Sequence, residues 1–261
     1  MQPAAPPSSS PPRLSVVVPV FDEEPNLEPL VTEIAVALAG IDFELLVVDD
    51  GSRDGSAATL ARLLPREPRL RVLRHDTNYG QSAALATGFA AARGEVVATL
   101  DGDLQNDPAD VPRLLAVLEQ GWDVVSGVRA RRQDTWVRRV SSRVANGVRA
   151  RVLGDGIRDV GCSLKVYRAP FLRRLPPFRG MHRFLPALAR LEGARVTEMP
   201  VGHRPRRFGA SKYGIGNRLW RGIADLLGVW WLKQRWFRVA GVEELSPRPD
   251  PHGDPGAGAG R

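Results

Sequence analysis

Short apolar runs alternate with helical patterns along this chain, and that alternation constrains the fold more than any other feature. Five runs predict strands because they are short, rich in β-branched residues and followed by Pro, Gly or Asp; they span residues 14–20, 43–48, 70–73, 96–100 and 124–126. Helical spacing of apolar residues occurs between them, over 26–38, 55–64, 81–92 and 107–120. The alternation predicts an α/β fold, with a mostly parallel sheet and helices on both faces.

Acidic and amide residues follow three of the predicted strands. The first strand ends in PVFDEEPN (19–26), the second in VVDDGSRDGS (47–56) and the fourth in LDGDLQNDP (100–108). Open parallel sheets bind ligands beyond the carboxyl ends of their strands. We therefore expect these three segments to line one crevice.

The stretch LDGDLQNDP indicates a metal site. Asp101 and Asp103 are separated by one residue, and the amide Gln105 follows two residues later. Clustered carboxylates repel each other unless a cation neutralises them, and a hard divalent ion that shares a substrate diphosphate would do so. A lone D-x-D also occurs in solvated turns, so the motif needs support from its surroundings. Asp107, followed by Pro108, is predicted to cap the next helix.

Composition limits the chain to one sizeable core, because it has 261 residues of which 43% are hydrophobic. The single cysteine, Cys162, excludes an intrachain disulfide framework and a cysteine-rich metal site, and fits a reducing compartment. We expect it to be a small buried apolar residue. Residues 1–13 and 239–261 are poor in core-forming side chains and are predicted to be disordered tails.

Positive charge is concentrated in two blocks. Residues 129–151 contain eight arginines and one acid, and residues 203–238 contain nine Lys or Arg and one acid, within a chain of net charge +8. Such blocks predict an anionic partner, and nucleic acid, a phosphorylated ligand and a membrane surface are the alternatives. For the first block, a solvated helix face is an equally good interpretation.

Several motifs in order resemble a known family. VVVPVFDEEPNL, VVDDGSRDGS, NYGQSAALATGFAAARG and LDGDLQNDP resemble the nucleotide-binding half of family 2 glycosyltransferases, which have the GT-A (Rossmann-like) fold. DVGCSLKVYR and RRFGASKY resemble later motifs of the dolichyl-phosphate mannosyltransferase and bacterial polyprenyl-phosphate glycosyltransferase branch. The resemblance implies a GT-A domain over residues 14–215, and the aromatic and basic residues of 216–238 predict an amphipathic interfacial helix after it.

The resemblance also implies how the donor, GDP-mannose or a UDP-sugar, would bind. Asp50 would contact the base or ribose, with Pro19, Phe21 and Glu23 beside it. Mg2+ or Mn2+ would be held against the diphosphate by Asp101, Asp103 and Gln105. The segment R-x-x-G-x-S-K would close over the diphosphate and supply positive charge where the leaving group develops negative charge; its residues are Arg206, Ser211 and Lys212.

The implied reaction transfers a mannose- or glucose-type sugar, with inversion, to a dolichyl or undecaprenyl phosphate. A phosphate monoester has a second pKa of about 6, so this acceptor needs no strong general base. It does need cations, and Arg129 and Arg143 are the candidates; a solvated helix face competes with that role, above all for Arg143. Asp159 would lie near the reacting centre and orient either an arginine or the acceptor.

The C-terminal region raises the question of membrane contact. A spanning helix needs about 20 mostly apolar residues, and the longest uncharged run here is only residues 226–232. RLWRGIADLLGVWWLKQRWFR packs aromatic residues among Arg and Lys, as an interfacial helix does. We expect a cytoplasmic protein that attaches to the cytoplasmic face of the membrane. A helix packed on its own core, or on a separate membrane-protein partner, is the alternative.

Other classes of protein fit less well. No nucleic acid is expected as a partner, because the acidic crevice would repel its phosphates. A phospho-receiver domain would leave R-x-x-G-x-S-K unexplained, and a dinucleotide oxidoreductase would need a glycine-rich fingerprint after the first strand. The remaining rival is a family 2 enzyme that glycosylates a saccharide hydroxyl in cell-envelope polysaccharide synthesis. That acceptor would require a catalytic base.

Overall fold

A computed structural model of the chain describes residues 11–129, 147–208 and 216–237. Its strands are β1 (Leu14–Val20), β2 (Phe43–Asp49), β3 (Leu70–Arg74), β4 (Val96–Thr99), β5 (Val124–Arg129), β6 (Lys165–Arg168) and β7 (Val196–Val201). Its helices are α1 (Glu24–Ala37), α2 (Ser56–Leu63), α3 (Gln81–Ala91), α4 (Val111–Leu118), α5 (147–153), α6 (Ala169–Arg173), α7 (Leu185–Leu191) and α8 (Gly216–Arg235). Two short 3₁₀ turns occur at Pro108–Asp110 and Met181–Arg183.

The strands form one sheet in the order β3-β2-β1-β4-β6-β5-β7. Strand β6 is antiparallel to both of its neighbours, β4 and β5, and the other pairs are parallel. The prediction of a mostly parallel sheet is confirmed. Strands β6 and β7 were not among the predicted strands. The sequence of β6 (KVYR) has a charged residue at each end and that of β7 (VTEMPV) contains Thr, Glu and Pro, so neither is the short apolar run by which the other strands were recognised.

Helices cover both faces of the sheet, as predicted. Successive strand residues point to opposite faces, and in β1 the side chains of Val16 and Val18 join the cluster that α1, α2 and α4 cover. Val17 joins a second cluster, which contains residues of α3, α6, α7 and α8. Burial on both faces explains why β1 and β2 are continuous apolar runs rather than alternating ones.

The helix after β4 begins with a short 3₁₀ turn. Asp107 Oδ1 accepts a hydrogen bond from Ala109 N at 3.0 Å, and Pro108 occupies the first position of the turn. The predicted capping role of Asp107 is therefore confirmed. Asp110 ends the turn and accepts from Gly202 N at 2.7 Å, which ties the turn to the segment after β7.

The C-terminal helix α8 has two apolar faces. One packs on the second core cluster through Leu226, Val229 and Leu232, and Val229 is 2% exposed. Lys233 Nζ donates to Leu153 O at 2.6 Å, and Trp236 Nε1 donates to Glu192 Oε1 at 2.9 Å. The other face leaves large apolar side chains in solvent, namely Ile223, Leu227, Trp230 and Trp231. Within the described ranges, no helix is both long and apolar enough to span a bilayer.

Candidate active site

The loops after β1 and β2 are joined by hydrogen bonds at one edge of the sheet. Asp22 N donates to Ser52 Oγ at 2.9 Å, and Glu23 N donates to Ser56 Oγ at 3.1 Å. Strands β2, β1 and β4 are neighbours and parallel, so the loop after β4 leaves the sheet at the same edge. The three segments therefore converge as the sequence predicts.

Asp50 organises the loop that leads into α3. Its carboxylate accepts hydrogen bonds from Tyr79 N at 2.9 Å and Gly80 N at 2.7 Å, and Oδ1 lies 2.7 Å from His75 Nδ1. The side chain is buried. Asp50 thus shapes the wall of the crevice through this loop, and a contact with the nucleotide base stays a prediction.

The residues predicted to lie beside Asp50 occupy the end of β1. Pro19 is a β1 residue, and Phe21 and Glu23 follow the strand; all three are half-buried. Glu23 Oε2 accepts from Asn26 Nδ2 at 2.5 Å. This bond fixes the Glu23 carboxylate at the start of α1.

Asp101 lies at the carboxyl end of β4 and accepts from Gln81 Nε2 at 2.8 Å. Burial raises the pKa of Asp101 to about 6, and the negative charge of Asp103 adds to the rise. A carboxylate with a pKa raised in this way is stabilised in its ionised form by a bound cation. Asp103 Oδ1 accepts from Gln105 N at 3.2 Å, so the loop is folded back on itself.

The oxygen atoms of Asp101, Asp103 and Gln105 fit a divalent metal whose remaining ligands come from the substrate and from water. Gln105 Nε2 donates to Arg204 O at 3.4 Å, which leaves its amide oxygen as the atom that would ligate a cation. In the described part of the chain, no group of three or more His, Cys, Asp or Glu is placed to hold a metal. Two carboxylates and an amide suit Mg2+ or Mn2+, because such sites complete their coordination with phosphate oxygens and water.

Arg206 connects two of the three loops. Its Nη2 donates to Glu23 Oε1 at 2.9 Å and to Asp103 Oδ2 at 3.3 Å. The guanidinium therefore lies at the predicted metal end of the crevice. Ser211 and Lys212, the other residues of this predicted loop, lie outside the described residues, and so does Arg143.

Arg129 and Asp159 form a bidentate pair. Arg129 Nε and Nη2 each donate to the Asp159 carboxylate at 2.8 Å, and Arg129 N donates to Oδ2 at 3.2 Å. Both side chains are largely buried, at 15% and 7% exposed. Of the two alternatives that the sequence left open for Asp159, the geometry favours orientation of an arginine.

Sequence reasoning gave no role to Asn106 or Ser163, which join two loops of the site. Asn106 Oδ1 accepts from Ser163 Oγ at 2.6 Å and from Asp101 N at 3.4 Å. The link holds the loop after β4 against the DVGCS segment. Both residues belong to motifs recognised in the sequence, but their pairing depends on β6 lying beside β4.

A cavity of about 750 Å³ opens beside Asp101. Its walls come from the start of α3, the end of β4, the segment 160–165 and the segment around Met181–Arg183. Lys165 and His182 line it. Burial, together with the positive charges of Arg183 and Lys165, lowers the pKa of His182 to about 3. The sequence gave the histidines no part in the site, because their spacing is not that of metal ligands.

Comparisons with solved structures identify the fold. A mannosyltransferase from Pyrobaculum calidifontis, solved with GDP-Man and Mn2+, superposes with a TM-score of 0.62 at 22% identity, over 92% of this chain and 68% of that one. Glucosyl-3-phosphoglycerate synthase from Mycobacterium tuberculosis was solved with Mn2+, UDP and glucosyl-3-phosphoglycerate. It superposes with a TM-score of 0.65 at 21% identity, over 88% of this chain and 82% of that one. The described residues have the GT-A fold of such glycosyltransferases.

The sequence comparisons establish the family. The model of glycosyl transferase family 2 matches residues 15–175, and the chain belongs to that family. Dodecaprenyl-phosphate galacturonate synthase from Rhizobium johnstonii is 42% identical over 223 residues, which are 83% of this chain and 66% of that protein. Undecaprenyl-phosphate 4-deoxy-4-formamido-L-arabinose transferase from Edwardsiella ictaluri is 40% identical over 205 residues, 77% of this chain and 63% of that protein. The matched region thus spans less than two thirds of either relative.

Proposed function

We propose that the protein transfers a sugar from a nucleoside diphosphate sugar to a polyprenyl phosphate, with inversion at the anomeric carbon. The observation that carries this proposal is the crevice at the ends of β1, β2 and β4, where two carboxylates and an amide meet beside Arg206. The 42% identity to a dodecaprenyl-phosphate sugar transferase supports the acceptor class. From the sequence, the donor is GDP-mannose or a UDP-sugar and the sugar is of the mannose or glucose type.

The donor would bind across the crevice. Asp50, Pro19, Phe21 and Glu23 would surround the nucleoside. Asp101, Asp103 and Gln105 would hold Mn2+ or Mg2+, and such an ion would supply positive charge to the leaving diphosphate. Arg206, together with Ser211 and Lys212, would contact the diphosphate from the other side. Mn2+ in two structural neighbours supports a divalent cofactor.

The acceptor phosphate would bind at Arg129. Asp159 fixes this guanidinium by two parallel hydrogen bonds, so the arginine is oriented before the acceptor arrives. A phosphate acceptor is already anionic and needs only to be positioned, with Arg143 as a second predicted cation. Both oxygens of Asp159 are engaged by Arg129, which favours this acceptor over a hydroxyl acceptor that would need Asp159 as a base.

The lipid tail of the acceptor requires contact with a membrane. We infer that the chain is cytoplasmic and attaches to the cytoplasmic membrane surface through the exposed apolar face of α8, alone or beside a separate membrane protein. Arg235 lies over the Trp231 ring at 4.6 Å from its centroid. This pairing of a cation with an aromatic ring suits a helix that faces anionic headgroups.

The test is a transfer assay with purified protein, Mn2+ or Mg2+, a short-chain polyprenyl phosphate and separate donors, followed as lipid-linked sugar and nucleoside diphosphate. We expect metal-dependent product. Asp103→Ala should lower turnover by at least about a hundredfold, since electrostatic stabilisation of a leaving group contributes on that order. Asp42→Ala, an exposed carboxylate away from the crevice, is the matched control.

The outcomes separate the parts of the proposal. Full activity of Asp103→Ala at limiting metal would show that the metal assignment is wrong. Sugar transfer to a saccharide but to no polyprenyl phosphate would favour the hydroxyl-acceptor rival. Lack of binding to every nucleoside diphosphate sugar would contradict the proposed activity as a whole.

A further inference from the structure

The segment that follows β7 carries three arginines and lies along the loop after β4. We call residues 203–207 (HRPRR) the arginine segment. Strand β7 ends before this segment begins, so its position depends on contacts outside the strands. An isolated antiparallel bridge joins His203 to Asn106, and Arg204 N donates to Gln105 O at 2.8 Å. The backbone of the arginine segment therefore runs beside the predicted metal ligand Gln105.

The side chain of Arg204 joins the arginine segment to two other elements. Its Nη1 donates to Glu33 Oε2 of α1 at 2.6 Å, and its Nη2 lies 2.7 Å from Asp107 Oδ2. The other oxygen of Asp107 caps the 3₁₀ turn before α4. A guanidinium presents its donors in a fixed plane, so two carboxylates from different elements fix its direction. The three side chains are between 27% and 32% exposed, so solvent screens these pairs only in part.

Arg206 lies two residues further along the same segment and contacts the crevice, where it donates to Glu23 and Asp103. Pro205 stands between the two arginines. A proline fixes its own φ and favours an extended backbone at the residue before it. The chain between the two guanidinium groups is therefore short and stiff, and the place of Arg204 restrains that of Arg206.

We propose that Arg204 is a positioning residue that holds Arg206 at the diphosphate end of the crevice. Its guanidinium anchors the arginine segment to α1 and to the turn before α4, and Arg206 extends from the anchored backbone. Arg204 acts through Arg206 and not on the substrate. The inference rests on the proposed function, in which Arg206 contacts the diphosphate. An ion pair that only stabilises the fold would differ, because its effect on nucleotide binding would not depend on Arg206.

The first measurement follows the anchoring itself, without any ligand. Hydrogen–deuterium exchange is compared in peptides that cover residues 199–208 and 103–107, for wild type, Arg204→Gln and Arg207→Gln. Loss of two partly exposed pairs should speed exchange of the arginine segment about fivefold or more in Arg204→Gln. Arg207 is the matched control, because it lies 3.5 Å from the same Glu33 but is 52% exposed. We expect its replacement to leave exchange close to that of wild type.

The second measurement tests whether Arg204 acts through Arg206. Calorimetry with Mn2+ gives the dissociation constants of UDP and GDP for wild type, Arg204→Gln, Arg206→Gln and the double variant. For the nucleotide that binds, Arg204→Gln should weaken binding about fivefold or more. The same change should cost less than about twofold when Arg206 is already replaced, because residues that act as a unit are not additive.

A conservative variant provides a second route to the same answer. Arg204→Lys keeps the charge but cannot present a planar fork to two carboxylates, so its affinity for the nucleotide should lie between those of wild type and Arg204→Gln. Circular dichroism shows whether each variant is folded. Arg204→Lys replaces the glutamine variant in both measurements if that variant does not fold.

Three results would overturn the inference. They are unchanged exchange of the arginine segment in Arg204→Gln, wild-type nucleotide affinity of that variant, and a loss of affinity of the same size with and without Arg206. The last result would show that Arg204 acts independently of Arg206. If exchange rises but neither UDP nor GDP binds to the wild type, the proposed function fails, whereas the anchoring of the arginine segment by Arg204 is supported.

Discussion

Arginine side chains hold carboxylates on both sides of the crevice. On one side, Arg206 bridges Glu23 and Asp103; on the other, Arg129 pairs with Asp159. A guanidinium presents several donors in a fixed plane, so it fixes the direction of a carboxylate as well as neutralising it. These pairs fix the directions of the Glu23, Asp103 and Asp159 carboxylates at the crevice.

At the residue scale, the Arg129–Asp159 pair makes a distinct kinetic prediction. Asp159→Asn removes the charge that orients Arg129, so the KM for polyprenyl phosphate should rise at least about tenfold while the KM for the donor changes little. Steady-state kinetics with each substrate varied in turn measures both values. Breaking a buried pair costs about 3 kcal/mol or more of stability, so circular dichroism must first show that the variant is folded.

A different result would assign Asp159 another role. If kcat falls and the KM for the acceptor stays constant, Asp159 acts on the reacting groups themselves. Glu198→Gln provides a comparison, because Glu198 Oε1 accepts from the backbone N of Asp159 at 3.3 Å and Glu198 Oε2 accepts from Arg158 Nε at 2.9 Å. We expect a smaller effect on acceptor KM from this variant.

At the element scale, strand β6 brings the second half of the site to the first. It pairs antiparallel with β4, where Thr99 lies opposite Lys165, and with β5 on its other side. This insertion places the segment 159–163 beside the loop after β4. Cys162 is buried there and Ser163 bonds Asn106, so the motif serves both the core and the site.

The two faces of α8 make opposite predictions for two substitutions. Val229 is 2% exposed whereas Leu227 is 58% exposed. Val229→Ala removes two buried methyl groups and should lower the free energy of unfolding by roughly 1.5 kcal/mol, whereas Leu227→Ala should change it by less than about 0.5 kcal/mol. Urea unfolding of both variants measures the difference.

For binding to lipid vesicles we expect the opposite order, with a larger effect from Leu227→Ala than from Val229→Ala. Removal of the exposed leucine weakens contact with a bilayer that contains anionic lipid, and Val229→Ala leaves that surface unchanged. Co-sedimentation with such vesicles measures the effect, and loss of one leucine side chain should weaken binding about tenfold or more. Equal sedimentation of Leu227→Ala and wild type would contradict membrane contact through this face.

At the scale of the whole molecule, His182 makes stability depend on pH. A histidine in the unfolded chain titrates near 6.5, whereas burial and the charges of Arg183 and Lys165 lower the folded value to about 3. Between these values only the unfolded state binds the proton. The free energy of unfolding therefore falls as the pH drops from about 6.5 towards 3, by up to about 1.4 kcal/mol per pH unit.

The comparison that isolates this effect uses His182→Gln. Carboxylates titrate in both proteins and cancel in the difference between the two stability curves. Urea unfolding at several pH values from 7 to 4 should show a shallower acid dependence for the variant. Parallel curves would show that His182 takes up its proton in the folded protein as readily as in the unfolded one.

Much of the fold was predictable because it is encoded locally. The bounds of β1 and β2 follow from continuous apolar runs, those of α3 from helical spacing of apolar residues, and the cap at Asp107 from one residue and the proline after it. The parallel arrangement follows from the alternation of strands and helices. The convergence of the acidic segments on one crevice was predictable for the same reason, because neighbouring parallel strands end at the same edge of the sheet.

The sequence by itself thus determined the fold class, the family resemblance and the carboxylates of the crevice. Only the tertiary structure decided that Asp50 holds the loop before α3, that Asp159 binds Arg129, and that Lys165 lines the cavity beside Asp101. The reason is physical: a periodic pattern records which face of an element is buried, whereas an ion pair joins side chains from distant segments. Their meeting depends on the order of strands in the sheet, above all on the insertion of β6 between β4 and β5.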